Sequence, residues 1–205
     1  MKDITFTIKI GAVLMSNPLY LFVGKSSSGK TTVASKLETM GFRQVCSYTT
    51  RKPRYEGEIG HRFVSSKEFD NLGELAAYTL YDGFRYGVTF EQLNECDIYV
   101  IDVPGVKTLL EKCKNYNRSI RVIYFDATTY NRIIRMINRG DSNAQVVSRL
   151  LQDEKDDWYK QLDSLVWHYA NNENMDVMLH SVDANQTLSA VMTQVVYCMD
   201  QYKEG

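Results

Sequence analysis

Short apolar runs recur along the chain, separated by stretches whose apolar residues fall at helical spacing. Leu19 to Val23 is one such run, ended by Gly24. Its length and lack of polar alternation predict a strand buried on both faces. Ile98 to Ile101 and Val122 to Phe125 read the same way, and Val177 to Leu179 is a shorter example. Val45 to Thr50 is β-prone. Ile4 to Met15 is also β-prone and predicts a strand, or a hairpin with the segment that follows. Helices are predicted from Lys30 to Met40 with Gly41 as the stop, and from about Gly105 to Cys113. Further helices are predicted from Thr129 to Asn138, from Asn143 to Asp163 or beyond as one long element, and from Asn185 to Met199. Strands alternating with helices imply βαβ units and a parallel sheet covered on both faces. The aromatic and charged region from 47 to 92 breaks this alternation, so it is expected as an insertion outside the sheet.

Length and charge narrow the classes. At 205 residues the chain can hold one domain with an insertion and build a core without staples. It carries 24 basic and 25 acidic residues, which argues against a duplex nucleic acid or an anionic membrane as partner. Cys46, Cys96, Cys113 and Cys198 show no CxxC pair and no zinc spacing, so reduced thiols in a cytoplasmic protein are expected. The N-terminus, interrupted by Lys2, Asp3 and Lys9, does not read as a signal peptide.

The clearest chemistry lies at Gly24-Lys25-Ser26-Ser27-Ser28-Gly29-Lys30-Thr31, which matches GxxxxGK[ST] without a mismatch. The glycines allow backbone N–H groups to turn inward around phosphate oxygens. Lys30 supplies a cation for the β- and γ-phosphates, and Thr31 a hydroxyl for Mg²⁺. The helix that follows directs its positive end at the same anion. A nucleoside triphosphate is therefore expected, bound through Gly24, Ser26, Ser27, Ser28, Gly29, Lys30, Thr31 and Thr32. Asp102-Val103-Pro104-Gly105 fits DxxG, but no NKxD accompanies it, which leaves a GTPase switch unsupported.

Ser47-Tyr48-Thr49-Thr50-Arg51-Lys52-Pro53-Arg54 places two arginines three apart beside a stiffening proline, a plausible fork for a second phosphate. With this segment the chain resembles the guanylate kinase family. The phosphate loop, Ser47 to Arg54, Gly57-Glu58, Phe63-Val64-Ser65, Tyr86-Gly87 and Ile101-Asp102 with Gly105-Val106 occur in that family's order and near its spacing. The resemblance implies an α/β fold of P-loop NTPase type, a three-layer sandwich with a parallel central sheet. It also implies an inserted subdomain for the monophosphate acceptor (47–92) and a helical lid (about 139–150). The core would be 19–46 and 93–205, preceded by a β-like extension at 1–18. It further implies that Arg51, Arg54, Ser47 and Tyr86 grip the acceptor phosphate, and that Asp102 lies near both acceptor and metal. Arg135, Arg139 and Arg149 match lid arginines that neutralise the transferring phosphoryl group. Arg132 matches no role and is expected on a solvated face. The implied activity is ATP- and Mg²⁺-dependent phosphorylation of GMP or dGMP by a monomer or homodimer.

Several positions depart from the family pattern. Its guanine-reading glutamate and serine fall on Ala77 and Val88, neither of which can hydrogen-bond a base through its side chain. A small gap would put Glu74 there instead. The family's tyrosine before Phe-Val is His61, and the adenine-side asparagine is Ser181. Base identity is therefore open, and a ribose 1,5-bisphosphate phosphokinase or a deoxynucleotide kinase of other base choice stands as the alternative. A non-catalytic nucleotide-binding module is the reading from a different class. Against it, such modules typically lose the phosphate loop.

Overall fold

The structure is a computed structural model and describes residues 18–54, 56–58, 60–114, 118–155, 157–173 and 175–200. The β-prone segment from Ile4 to Met15 lies outside the described residues. Strand β1 (Leu19–Val23) is buried at every position. It is the second strand of a four-stranded parallel sheet with β6 (Ile98–Val100), β7 (Ile120–Asp126) and β8 (Val177–Asp183), in the order β6-β1-β7-β8. Alternate side chains of β1 serve two separate cores, because a strand's side chains alternate faces. Leu19, Leu21 and Val23 pack with helices α4 (Val103–Lys112) and α7 (Trp158–Asn172), whereas Tyr20 and Phe22 pack with α1 (Lys30–Glu38) and α8 (Leu188–Asp200). Helices therefore cover both faces, and three layers result.

Between α1 and β6 the chain builds a second sheet, ordered β3-β2-β5-β4. Its strands are β2 (Ser47–Thr49), β3 (His61–Phe63), β4 (Leu75–Tyr81) and β5 (Phe84–Thr89). Asp82 and Gly83 both take positive φ in the two-residue turn between β4 and β5, the geometry that Asp-Gly favours in a hairpin. Short helices α2 (Ser66–Asp70) and α3 (Phe90–Glu95) flank it, each opened by a capping box, at Ser65/Glu68 and Thr89/Gln92. A bridge between Gln44 and Ile98 joins the start of this segment to the edge of the parallel sheet.

The structure corrects the expectation of one long helix from Asn143. Two helices stand there, α6 (Asn143–Asp153) and α7. Asp153 turns its side chain inward to a buried arginine, the chain leaves the helix at Glu154, and Asp157 caps the next helix through the Lys160 amide. Helix α5 (Thr129–Asn138) precedes α6, and Ser142 opens α6 with a third capping box. Among the described residues no helix is long and apolar enough to cross a membrane. All four cysteines are free thiols, and Cys113 and Cys198 are buried.

Candidate functional site

The phosphate-loop sequence forms a tight turn between β1 and α1. A side chain at Gly24 would lie 2.7 Å from the Phe125 carbonyl oxygen, so only glycine fits where β1 passes β7. Gly29 caps α1 with φ of 102°, and Ser27 holds φ of 59°, a left-handed conformation costly for a side-chain-bearing residue. Lys30 Nζ curls back over the loop and donates to the Gly24 and Lys25 carbonyls at 2.5 and 2.9 Å. Burial pushes its pKa down to about 8, although the carboxylates of Asp153 and Asp102 oppose the shift.

The loop forms one wall of a cleft of about 210 Å³. Ser26, Ser27, Lys30 and Thr31 line that wall, and Ser47, Arg54, His61 and Tyr86 line the opposite one, from the second sheet. Parallel pairing sets Ser47 against His61, and their Oγ and Nδ1 lie 2.9 Å apart. Burial, reinforced by the charge of Arg51, pushes His61 down to about 4, so it is neutral at pH 7. Arg139 and Arg149 close a third side. Both reach Asp141, at 2.5 and 3.5 Å, and hydrogen bonds from Arg139 hold that carboxyl below its usual range.

Asp102 lies at the cleft floor beside Tyr99, where β6 ends. It caps α4 by accepting from the Gly105 amide at 2.9 Å, and its second oxygen accepts from the Thr79 hydroxyl at 2.8 Å. Burial pushes its pKa up. The DxxG pattern is thus a helix cap, and Gly105 is required because a Cβ would lie 2.8 Å from the Asp102 carboxylate. Among the described residues no group of three or more His, Cys, Asp or Glu side chains is arranged to hold a metal. Thr31 and Asp102 both line the cleft.

No protein-family profile matches the chain, and no curated protein matches its sequence. Solved structures do match. A crystal structure of guanylate kinase from Anaplasma phagocytophilum aligns with a TM-score of 0.56 at 18% identity, covering 92% of this chain and 87% of that one. The chain has a guanylate-kinase-like fold. At this identity the likeness speaks for the fold, and the site has to be judged on its own side chains.

On that basis the sequence-selected residues of this guanylate-kinase-like chain divide. Lys30, Thr31, Ser26, Ser27, Ser47, Arg54, His61, Tyr86, Asp102, Arg139 and Arg149 come together at the cleft, and Ser28, Gly29 and Thr32 complete the loop and first turn beside it. Arg51 stands behind the wall. It is 6% exposed, stacks on Phe63, and gives both terminal nitrogens to Glu58 at 2.8 and 2.7 Å. Burial would raise Glu58, but bonds from Arg51 and the Arg54 amide outweigh it and hold the carboxyl at about 2. Arg54 is left with depressed basicity, by burial first and then by repulsion from Arg51 and Arg149. Arg135 also stands outside the cleft, donating to the Ser28 and Ala184 carbonyls at 3.1 and 2.5 Å.

Arg132 overturns its sequence reading. It is 1% exposed, among the largest fully buried side chains of the protein. It donates to Asp153 at 2.8 Å, to Glu154 at 3.0 Å and to the Ser26 carbonyl at 3.0 Å. Ala77 and Val88 pair across β4 and β5 and are buried in the core, so neither offers a surface to a base. Glu74 does not replace them: it is exposed and pairs with Lys112. Ser181 is exposed on β8. Sequence reasoning missed Thr79, Tyr81 and Asp153. The Asp82-Gly83 turn signal would have placed Thr79 and Tyr81 on a hairpin strand, but Asp153 carries no local signal because its partners come from other elements.

Proposed function

We propose that the chain is an ATP-dependent phosphotransferase of nucleoside monophosphate kinase type, with GMP or dGMP as acceptor. The observation that supports it is the single cleft between Lys30 and Thr31 on one side and Arg54, Tyr86 and His61 on the other. The triphosphate lies on the loop from Gly24 to Thr32, and the acceptor phosphate at Ser47, Arg54, His61 and Tyr86. Arg51 belongs to that grip through Glu58, which ties it to Arg54. The acceptor phosphate oxygen attacks the γ-phosphorus, the bond to the bridging oxygen breaks, and ADP leaves. Such transfer needs positioning and charge neutralisation more than covalent chemistry. Lys30, Arg139 and Arg149 supply the positive charge, and Arg135 shapes the loop from behind. Mg²⁺ travels with nucleotide phosphates and needs only one or two protein ligands. Thr31 and Asp102 fit that role, and the ion would neutralise phosphate charge. In this reading residues 47–92 are the acceptor-binding insertion, 139–150 the lid, and the enzyme is cytoplasmic.

One observation favours a second reading of the acceptor. On the face of β4 that carries Ala77, the next residue is Thr79, whose hydroxyl meets Asp102 at the cleft floor. Two residues along a strand is about 7 Å. The first polar reader is therefore closer to the phosphates than a guanine reader at Ala77 would be, which suits a compact acceptor such as ribose 1,5-bisphosphate. An ADP-release assay across GMP, dGMP, AMP, UMP, dTMP and ribose 1,5-bisphosphate decides between them. Turnover of none would refute the enzyme reading and favour a binding module.

A further inference from the structure

The outer turn of the phosphate loop is held by side chains that the reaction as described does not use. The Ser26 amide donates to Asp153 Oδ2 at 2.7 Å, and the Ser26 carbonyl accepts from Arg132 Nε at 3.0 Å. Arg132 and Asp153 are 1% and 0% exposed, and they bond each other at 2.8 Å. Lys25 reaches Glu154 at 3.1 Å, and Arg132 reaches the same carboxylate. The next residue, Ser27, carries the left-handed backbone and a buried hydroxyl without a hydrogen-bond partner. Ser26, the residue before the strained one, is thus gripped at both its N–H and its C=O by one buried ion pair. A third contact comes from the second sheet. Tyr81, the last residue of β4, places its hydroxyl 3.2 Å from Ser26 Oγ and 3.4 Å from Asp153 Oδ1.

Backbone N–H groups turned toward one point form an anion-binding nest, and without an anion their dipoles repel one another. Asp153 supplies a fixed negative charge at the rim of this nest. Its place at the last turn of α6, and that of Arg132 on α5, connects the loop to the helix that carries Arg149 and to the one whose C-cap is Arg139.

We propose that Asp153, fixed by Arg132, is a positioning residue that holds the phosphate loop in its phosphate-ready form, and that Tyr81 ties this loop to the second sheet. The loop is then already shaped before a nucleotide arrives, so less ordering accompanies binding. The consequence for ATP rests on the phosphotransferase reading; the conformational role does not.

The test uses the full chain with two variants, Asp153→Asn, which removes the charge, and Tyr81→Phe, which cuts the tether without exposing a charge. Amide hydrogen exchange of residues 24–29 is followed without nucleotide. Exchange is expected to rise at least tenfold in Asp153→Asn and severalfold in Tyr81→Phe, beyond any rise in the central strands. MgATP titration is expected to show at least tenfold weaker binding for Asp153→Asn. Loop exchange that stays at the wild-type level, or that rises only in step with the whole protein, overturns the proposal and leaves a structural ion pair. If Asp153→Asn does not fold, Tyr81→Phe decides alone by the same exchange criterion. Wild-type protein that takes up no MgATP overturns the phosphotransferase reading instead, and loop exchange still decides this one.

Discussion

Replacing Arg132 by methionine removes a cation that is only 1% exposed and leaves most of the side-chain volume filled. Three bonds disappear, to Asp153, Glu154 and the Ser26 carbonyl. Breaking a buried pair by removing one partner costs about 3–5 kcal/mol, because the other charge stays buried and uncompensated. Asp153 keeps the Ser26 amide and Tyr81, which points to the lower end of that range. Glu154 is about half exposed and keeps Lys25, so its share is at most about 1 kcal/mol. A loss of about 3 kcal/mol lowers the melting temperature of a chain this size by roughly 6–12 °C. The double variant Arg132→Met, Asp153→Leu removes both charges and should recover part of the loss. Recovery stays incomplete because the Ser26 amide then lacks its acceptor, at about 1–3 kcal/mol. Urea unfolding of the wild type, both single variants and the double variant gives the coupling directly. A loss below about 1 kcal/mol for Arg132→Met, or a double variant as unstable as the sum of the singles, would refute the argument.

Lys30→Ala should leave the melting temperature near wild type and reduce phosphoryl transfer at least about 10³-fold, the scale of a transition-state cation; a variant with normal turnover sinks the assignment. Because Lys30 is held down to about 8 and its charged form meets the phosphates, MgATP affinity should fall as pH rises through that value, by up to about tenfold per unit. Constant affinity from pH 7 to 9.5 by calorimetry would contradict this. His61 sits at about 4 when folded and near 6.5 when unfolded, so the unfolded chain binds the extra proton between those values. Stability should be complete above about pH 6.5 and decline as pH falls toward 4, and His61→Gln should flatten that decline in pH-dependent melts. Glu58, held at about 2, extends the loss to lower pH. Thr79→Val should raise KM for the acceptor about tenfold and leave KM for ATP unchanged; equal effects on both would remove Thr79 from acceptor recognition.

How much was legible follows from the range of each signal. β1, the phosphate loop and α1 were readable because the information is local: a five-residue apolar run, two glycines at fixed spacing, then helical periodicity. The split between α6 and α7 was not. Its cause is the burial of Asp153 against Arg132, twenty-one positions earlier, and the acidic stretch from 153 to 157 does not by itself say which carboxylate turns inward. The arginines show the limit most clearly. Arg132, Arg135 and Arg139 share a helical spacing, yet one is buried in an ion pair, one is bonded to backbone carbonyls, and one faces the cleft. Spacing assigns residues to a face, and only packing says what that face meets. The sequence by itself determined the strand–helix alternation, the phosphate-loop motif and the apolar side chains at 77 and 88. Tertiary structure alone decided which cations face the cleft and which brace it, because a buried charge is stable only where folding brings its counter-ion.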